Sequence, residues 1–379
     1  MSEAALQVAS VTVSGKLFMS LELSHAKWLL AVSDAGRRIR SYTVGAGDGQ
    51  AVLSALERAR AAFGLGKDAE VLSCYEAGRD GFWLHRFLVD KGIRNHVVDS
   101  SSIKVNRRQR RAKTDRIDAR ELLLMLVDFI DGKKDIWSVL RVPTETQEDA
   151  RRAHRERERL VAERGQHISR IKSLLVLQNL RPKRIGARGW LQWLKALVIA
   201  PRLREELERE TERLALVERQ IAQLEREQAE RLESPAANED PSLLKQRTLH
   251  RLRGVGDVGA WVLGSELFGW RSFNNRREVA GSAGLGSSPY RSGSIERDQG
   301  ISKAGNARVR TLMVELAWSW LRYQPDSALS KWYRERFGAG GRSRRIGIVA
   351  LARKLLIALW RFVEQGIVPE GARFKVKAA

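Results

Sequence analysis

Two carboxylates, Asp115 and Asp118, open an apolar-periodic stretch that runs from Ile117 to Val127, and they constrain this chain more than any other feature. If the stretch is helical, residues three apart lie on one face, so the two side chains point together. A pair of carboxylates completed by phosphate oxygens is a common way to hold Mg²⁺ or Mn²⁺. The alternative is that Asp115 caps the helix and Asp118 pairs with surface arginines.

Basic residues crowd around this pair. They are Lys104, Arg107, Arg108, Arg110, Arg111, Lys113 and Arg116. The 379 residues include 68 Lys+Arg against 45 Asp+Glu, a formal net charge of +23, which indicates a polyanionic partner, DNA or RNA. An anionic membrane is the competing partner, but no uncharged apolar run reaches the roughly 20 residues of a membrane span. Metal-holding carboxylates inside a basic field are what metal-assisted phosphodiester chemistry needs.

The compartment follows from what the sequence contains. Cys74 is the only cysteine, so no internal disulfide can form, which fits a reducing cytoplasm. The N-terminus lacks a basic region followed by an apolar core, so no signal peptide is predicted. We expect a cytoplasmic protein of two or three domains, with no membrane partner.

Strand and helix patterns alternate along residues 15–144, after a flexible leader of residues 1–14. Strands are predicted at 16–23, 27–32, 39–44, 70–75 and 95–98, and helices at 51–63, at 82–89 and from 117. This order is that of an RNase H-like (RuvC-like) α/β domain. It places Glu22 on the first strand and Glu76 at the end of the fourth. Because ligands collect at strand ends in open α/β sheets, we expect both to converge with Asp115 and Asp118.

Residues 145–232 have helical periodicity and few Gly or Pro. We predict two long helices, 145–180 and 202–232, joined by a Trp-containing turn around 188–193. An a/d seam, with Glu210 as its flaw, predicts a coiled coil that assembles the protein; a solvated helical hairpin is the alternative. The seam consists of Leu207, Leu214, Val217, Ile221 and Leu224. A linker at 233–242 then precedes a mostly α-helical domain at 243–370 and a basic tail at 371–379.

The segment from Leu252 to Ala260 resembles the hairpin of a helix-hairpin-helix element. Gly254 and Gly256 permit a tight turn whose backbone N–H groups can face a phosphate. Arg251 and Arg253 add positive charge. A tight turn without a ligand is the alternative.

A Gly/Ser-rich segment, 284–294, carries hydroxyls among basic residues. The nearby cations are Arg291, Arg297, Lys303 and Arg308. A serine hydroxyl in such a loop could attack a phosphodiester while the cations stabilise the developing charge. Serine in a Gly-rich loop is, however, usually turn chemistry.

The segment from Leu312 to Trp320 has the pattern of a helix with one apolar face. Leu312, Leu316 and Trp320 recur at the spacing of one buried helix face, so Trp320 is predicted to pack in a core rather than to stack on bases.

Together these segments resemble the DEDD transposases of the IS-one-ten insertion-sequence family, the bridge-RNA-guided recombinases. The matching blocks are Leu21-Glu22-Leu23-Ser24, Tyr75-Glu76-Ala77-Gly78, Lys113-Thr114-Asp115-Arg116-Ile117-Asp118-Ala119, Gly254-Val255-Gly256, Ala283-Gly284-Leu285, Ser292-Gly293 and Ile301-Ser302-Lys303-Ala304-Gly305-Asn306. They cover most of the chain and occur in the family's order.

The resemblance implies a RuvC-like domain, a coiled-coil insertion and a C-terminal transposase domain that act as a dimer or tetramer. It also implies a bacterial protein that is associated with the nucleoid. It implies a structured RNA that pairs with donor and target DNA. Glu22, Glu76, Asp115 and Asp118 would bind Mg²⁺ or Mn²⁺, and Ser292, with Ser288 as the fallback, would join covalently to DNA. One residue departs from the pattern: the family's first acid is usually Asp, and Glu22 is one methylene longer.

Two rival functions remain open at this point. The first is a metal-dependent nuclease or junction resolvase of the RuvC type, in which water attacks and Ser292 is only structural. The second is a basic nucleic-acid scaffold with a degraded metal site. A protein–DNA adduct distinguishes the recombinase from both.

Overall fold

The computed structural model describes residues 15–34, 38–103, 115–133, 136–292, 295–338 and 340–375. The side chains of residues 101, 115–117, 288–299 and 342 lie outside that description. The chain forms two compact units, residues 1–143 and 144–379. The second unit therefore contains both the helical region and the C-terminal helices that the sequence suggests as separate domains. Within the described part, no helix is both long and apolar enough to cross a membrane.

The first unit is built on a mixed five-stranded sheet in the order β3-β2-β1-β4-β5. The strands are β1 (Lys16–Leu23), β2 (Lys27–Ser33), β3 (Ile39–Gly45), β4 (Glu70–Glu76) and β5 (Arg94–Val98). β1 runs antiparallel to β2 and parallel to β4. The helices are α1 (Gly49–Phe63), α2 (Trp83–Asp90) and α3 (Asp115–Ile130). The predicted α/β character of this region is confirmed.

Both faces of the sheet are covered, and the side chains of β1 show how. Leu17, Met19 and Leu21 lie in the core that includes residues of α1 and α2. Phe18, on the opposite face, lies in a second core with Leu123 of α3. This alternation follows from the two-residue period of a strand. The sheet therefore separates α3 from α1 and α2.

The second unit begins with an antiparallel helical hairpin. Its helices are α4 (Glu145–Asp149), α5 (Arg152–Val176), α6 (Trp190–Ala196) and α7 (Pro201–Glu233). The predicted helix 145–180 is thus interrupted between α4 and α5. Arg151 explains the break, because its Nε donates to the carbonyl of Gln147 at 3.0 Å and its guanidinium lies 4.8 Å from the Trp270 ring. The predicted Trp-containing turn is wrong in detail, since Trp190 opens α6 and donates to Thr211.

Glu210, expected to be a flaw in the seam, is a buried and fully partnered carboxylate. His167 Nδ1 lies 2.7 Å from it, Arg170 Nε 3.1 Å, and Arg213 donates to its other oxygen at 2.7 Å. Burial raises the pKa of Glu210, but His167 and Arg170 outweigh that effect and hold it below its ordinary value. Since a buried charge needs its partners, a shift of one helix along the other would leave Glu210 unpaired.

The predicted linker 233–242 is largely helical. A 3₁₀ turn, Pro235–Asn238, follows α7 directly, and α8 (Pro241–His250) begins three residues later. Arg247 of α8 donates to the carbonyls of Leu232 and Ser234. These hydrogen bonds tie the end of the helical hairpin to the first C-terminal helix.

The C-terminal part is mostly helical, as predicted. Its remaining elements are α9 (Asp257–Leu263), a π-helical turn (Gly264–Phe268), α10 (Arg276–Ser282), β6 (Ser287–Ser292), β7 (Ile295–Ile301), α11 (Ala307–Tyr323), α12 (Ala328–Phe337) and α13 (Gly341–Gln365). Trp320 is fully buried and donates to Ser327 at 2.9 Å, which confirms its predicted place in the core.

Candidate active-site elements

Glu22 is the penultimate residue of β1 and Glu76 the last residue of β4, and the two lie at the same level of these neighbouring parallel strands. The last registered pair of β1 and β4 is Leu21 with Tyr75, and the two glutamates are the next residues. Residues at matching positions of adjacent parallel strands lie on one face, and the strands are about 4.8 Å apart. Both side chains are half-buried. The predicted convergence of these two acids is thus consistent with the strand register.

The start of α3 is attached to the same face. Ser20 Oγ, two residues before Glu22, donates to the carbonyl of Ala119 at 2.5 Å, which places half-buried Asp118 beside β1. Cys74 is buried on this face, and burial, followed by the charge of Glu76, raises the pKa of its thiol. The elements that carry the predicted acids therefore pack together.

The metal site itself is not defined by these contacts. Among the side chains that the structure describes, no three His, Cys, Asp or Glu residues are arranged to hold a metal ion. Asp115 is the first residue of α3, and its carboxylate lies outside the described side chains. The same holds for Arg116, and the basic run from Lys104 to Lys113 lies outside the described residues.

The helix-hairpin-helix-like segment is a turn between α8 and α9. Gly254 has φ of +83°, and its carbonyl accepts from Ser319 Oγ of α11 at 2.8 Å. The N–H of Arg253 donates to the carbonyl of Arg373, and that of Val255 to Leu252. These two amides are therefore engaged within the protein, and the phosphate contact expected of Gly254 and Gly256 stays a prediction. Gly256 precedes α9 as its cap, and the Arg251 guanidinium lies 5.0 Å from the Phe374 ring.

The predicted serine loop is a two-stranded β-hairpin. Ser292 is the last residue of β6 and pairs with Ile295, so it lies next to the turn. Ser288 lies near the opposite end of the same strand. The side chains of both serines, and of Arg291 and Arg297, are outside the described set. The backbone alone thus places the first-choice serine at the tip of the hairpin.

The base of this hairpin depends on two glycines. Gly284 has φ of +66°, and a Cβ there would lie 2.0 Å from the carbonyl oxygen of Ala304. Gly305 has φ of +94°, and a Cβ there would lie 2.4 Å from the carbonyl oxygen of Ser282. The N–H of Asn306 donates to Ser282 at 2.7 Å. The segments that enter and leave the hairpin therefore cross at Gly284 and Gly305, at a distance that only glycine permits. We call this close approach the glycine crossing.

Two of the predicted phosphate-binding cations at this base have different surroundings. Lys303 is exposed, with φ of +58° and a carbonyl that accepts from Arg310 at 2.8 Å. The Arg308 guanidinium donates to Glu158 of α5. Arg308 thus joins α11 to the helical hairpin.

A buried carboxylate that sequence reasoning missed, Glu266, lies behind the hairpin base. It is 1% exposed and accepts two hydrogen bonds from Arg155, at 2.6 and 2.9 Å. Asn306 Nδ2 donates to it at 2.9 Å, and His154 Nε2 lies 3.2 Å away. Burial raises the pKa of Glu266, but His154 and Arg155 hold it far below its ordinary value.

Glu266 therefore links α5 to the residue that follows the glycine crossing. Asn306 also caps α11, accepting from the N–H groups of Arg308 and Val309. The sequence does contain a signal for this group, a single acid within the apolar stretch from Val258 to Trp270. A lone acid in such surroundings indicates a buried, paired carboxylate.

Comparisons with known proteins cover both regions. A family model described as Transposase IS116/IS110/IS902 family matches residues 246–332, which include the glycine crossing and the β-hairpin. A second transposase model, named for the DEDD motif and IS110, matches residues 24–179, which include Glu76, Asp115 and Asp118.

Individual relatives are also transposases by name. The chain is 40% identical over 377 residues to Putative transposase y4rJ of Sinorhizobium fredii, covering 95% of both chains. It is 27% identical over 328 residues to Putative transposase y4qE of the same organism, covering 84% of this chain and 75% of that protein. It is 26% identical over 296 residues to the Transposase for insertion sequence element IS1111A of Coxiella burnetii, covering 75% and 74%. The chain belongs to the IS110/IS116/IS902 family of insertion-sequence transposases and is a DNA transposition enzyme.

Proposed function

We propose that this transposase cuts and rejoins DNA through a covalent bond between Ser292 and a backbone phosphate, guided by a structured RNA that pairs with donor and target DNA. The observation that carries this proposal is the position of Ser292 at the turn of a β-hairpin. The base of that hairpin is fixed by the crossing of Gly284 and Gly305. A backbone position beside the turn of a hairpin whose base is held by that crossing supports a role for Ser292 as a positioned nucleophile.

The chemistry is a pair of transesterifications. The Ser292 oxygen attacks phosphorus, the Oγ–P bond forms, and one phosphorus–deoxyribose oxygen bond breaks. The serine proton passes to water, and the departing deoxyribose oxygen takes a proton from water. A deoxyribose hydroxyl of the exchanging strand then attacks the same phosphorus and releases the serine. Because each step exchanges one phosphoester for another, the bond energy is conserved and no external energy source is needed.

Glu22, Glu76, Asp115 and Asp118 are the residues that would hold Mg²⁺ or Mn²⁺. Carboxylate oxygens suit these hard cations, and the matched positions of Glu22 and Glu76 on neighbouring strands support the fit. When bound, the ion would offset phosphate charge and favour ionisation of an attacking hydroxyl. The longer side chain of Glu22 extends its oxygens further from β1 than an aspartate would.

An adduct assay tests the nucleophile. Purified protein, the element's RNA, Mg²⁺ and a DNA target with a trapping nick are combined and resolved on a denaturing gel. We expect an adduct for wild type and for the matched control Ser288→Ala, and none for Ser292→Ala or Asp115→Ala. Cleavage without an adduct that persists in Ser292→Ala but not in Asp115→Ala would instead identify a nuclease that uses water.

Two further experiments test the RNA guidance and the subunit that supplies each group. Replacing the RNA's pairing segment should move the adduct to a DNA that matches the new segment; an unchanged target would contradict RNA guidance. Mixing Ser292→Ala with Asp115→Ala should restore an adduct if different subunits supply metal and nucleophile. No restoration would assign both to one subunit.

A further inference from the structure

A groove on the C-terminal helices combines cations with an apolar floor. It measures about 1420 Å³ and lies between the base of the β-hairpin, α10, α12 and one face of α13. Its described lining includes six cationic side chains, and no Asp or Glu. They are Arg276, Arg277, Lys303, Arg345, Arg353 and Lys354. In the described part of the chain, none of the six forms an ion pair with a carboxylate.

The floor of this groove is the second face of α13. Leu351, Leu355 and Leu359 on the opposite face are fully buried in the core. The groove face carries Ile346, which is 56% exposed, and the partly buried Ile357. Ile346 thus leaves an apolar side chain open to solvent among the arginines of the groove. The pattern indicates a ligand with both charged and apolar parts.

Trp332 gives the groove an aromatic surface. The Nζ of Lys354 lies 4.5 Å from the centre of the Trp332 ring, and Phe337 supports the ring edge-on at 5.5 Å. Because the ammonium lies over the ring on a flexible side chain, it can shift to meet a phosphate when a base of the same nucleotide stacks on the ring. Paired DNA presents its phosphates outward and its base faces only to each other, whereas an unpaired strand offers both.

We propose that this groove binds a single strand of DNA next to the cleavage position. The assignment to DNA rests on the proposed function, because Ser287 at the groove begins the strand that ends at Ser292. Five residues of extended chain span about 17 Å. The groove would therefore hold unpaired DNA within a few nucleotides of the phosphate that Ser292 attacks, and keep it from re-pairing during exchange.

Binding of fluorescent oligonucleotides to the full protein tests this without cleavage. One sequence of about 14 nucleotides is prepared as a DNA strand, as the same RNA strand and as a DNA duplex. Affinities are measured by anisotropy, without divalent metal, over a series of salt concentrations. We expect Trp332→Leu to weaken binding of the DNA strand about tenfold and binding of the RNA strand or the duplex much less. A larger loss for the RNA strand or the duplex overturns the assignment.

Neighbouring arginines on α13 supply a matched control. Arg345 lines the groove, whereas the Arg344 guanidinium lies over Trp318, 5.0 Å from its ring centre. Arg345→Gln should reduce the slope of log affinity against log salt by about 0.7, and Arg344→Gln should leave it unchanged. Trp332→Leu should weaken strand binding about tenfold without changing the slope, in line with base stacking. Equal effects of Arg344→Gln and Arg345→Gln, or no effect of Trp332→Leu, contradict the proposal.

The two proposals fail separately. Ser292→Ala should bind the strand as wild type does, since the groove does not need the nucleophile. Strand binding that is intact in a protein that forms no adduct would leave the groove in place and reject the serine mechanism. If wild type forms an adduct and the groove variants bind the strand normally, the serine mechanism stands and the groove assignment is rejected.

Discussion

Arg155 and Glu266 form a two-pronged ion pair, with nitrogen–oxygen distances of 2.6 and 2.9 Å, between α5 and the π-helical turn after α9. The carboxylate is 1% exposed, whereas about a third of the arginine side chain reaches solvent. The same carboxylate accepts a hydrogen bond from Asn306, the residue that follows Gly305 of the glycine crossing. The helical hairpin and the base of the β-hairpin are thus joined at one buried charge.

Removing the arginine should destabilise the protein strongly. Arg155→Ala leaves the Glu266 carboxylate buried without its main cation, a loss of about 3 kcal/mol in the free energy of unfolding. Arg152→Ala is the control on the same helix, because its side chain is 79% exposed and pairs with Asp149 at the surface. That change should cost less than about 0.5 kcal/mol. Urea denaturation of the full chain measures both, and equal losses would contradict a special role for Arg155.

The depressed pKa of Glu266 predicts how stability depends on pH. A carboxyl that binds its proton less readily when folded contributes stability above its ordinary pKa, about 4.5, and loses it as the pH falls further. Glu266→Gln removes this contribution. The stability difference between wild type and Glu266→Gln should be largest near neutral pH and shrink below about pH 4. Denaturation across that range checks it; a constant difference would reject the linkage, and Glu158→Gln at the surface serves as control.

The glycine crossing predicts a contrast between two glycines of the same region. Gly305→Ala adds both left-handed strain and an overlap with the carbonyl of Ser282, at a cost of about 3 kcal/mol. Gly300 also has positive φ, +85°, but nothing lies within 4 Å of a Cβ there, so Gly300→Ala should cost about 1 kcal/mol. Thermal unfolding compares the two variants. Similar melting temperatures would show that the close approach does not matter.

Metal binding should depend on the acids at the end of the sheet and not on others of α3. Glu76→Gln and Asp118→Asn should each weaken Mn²⁺ binding at least tenfold, because each removes one oxygen donor from the proposed set. Asp128→Asn is the control, since Asp128 pairs with Lys133 at 2.5 Å further along the same helix. Titration calorimetry of the RNA-free protein measures the affinities. If all three variants bind Mn²⁺ alike, the assigned ligands are wrong.

Local pattern determined much of this protein from the sequence alone. The helix that begins at Asp115 follows from an apolar period of 3.6 residues, and the strand at 16–23 follows from a short, largely apolar run; each segment carries its own pattern. The sequence motifs of the family, such as those around Asp118 and Gly305, can also be recognised without a structure. Trp320 was placed in the core for the same reason, because a buried helix face repeats along the chain.

Tertiary structure decided what depends on contacts between distant segments. Glu210 looked like a defect in an apolar seam, and only its partners His167 and Arg170 on another helix make it a satisfied charge. The partner of Glu266, Arg155, lies 111 residues away in the sequence, so only the tertiary structure pairs the two. The crossing at the base of the β-hairpin brings together Gly284 and Gly305, which lie before and after the hairpin, so no short window of sequence contains it. The periodicity of a segment predicts which of its side chains share a face. The burial and pairing of charged side chains depend on contacts with other segments, which a local pattern does not contain.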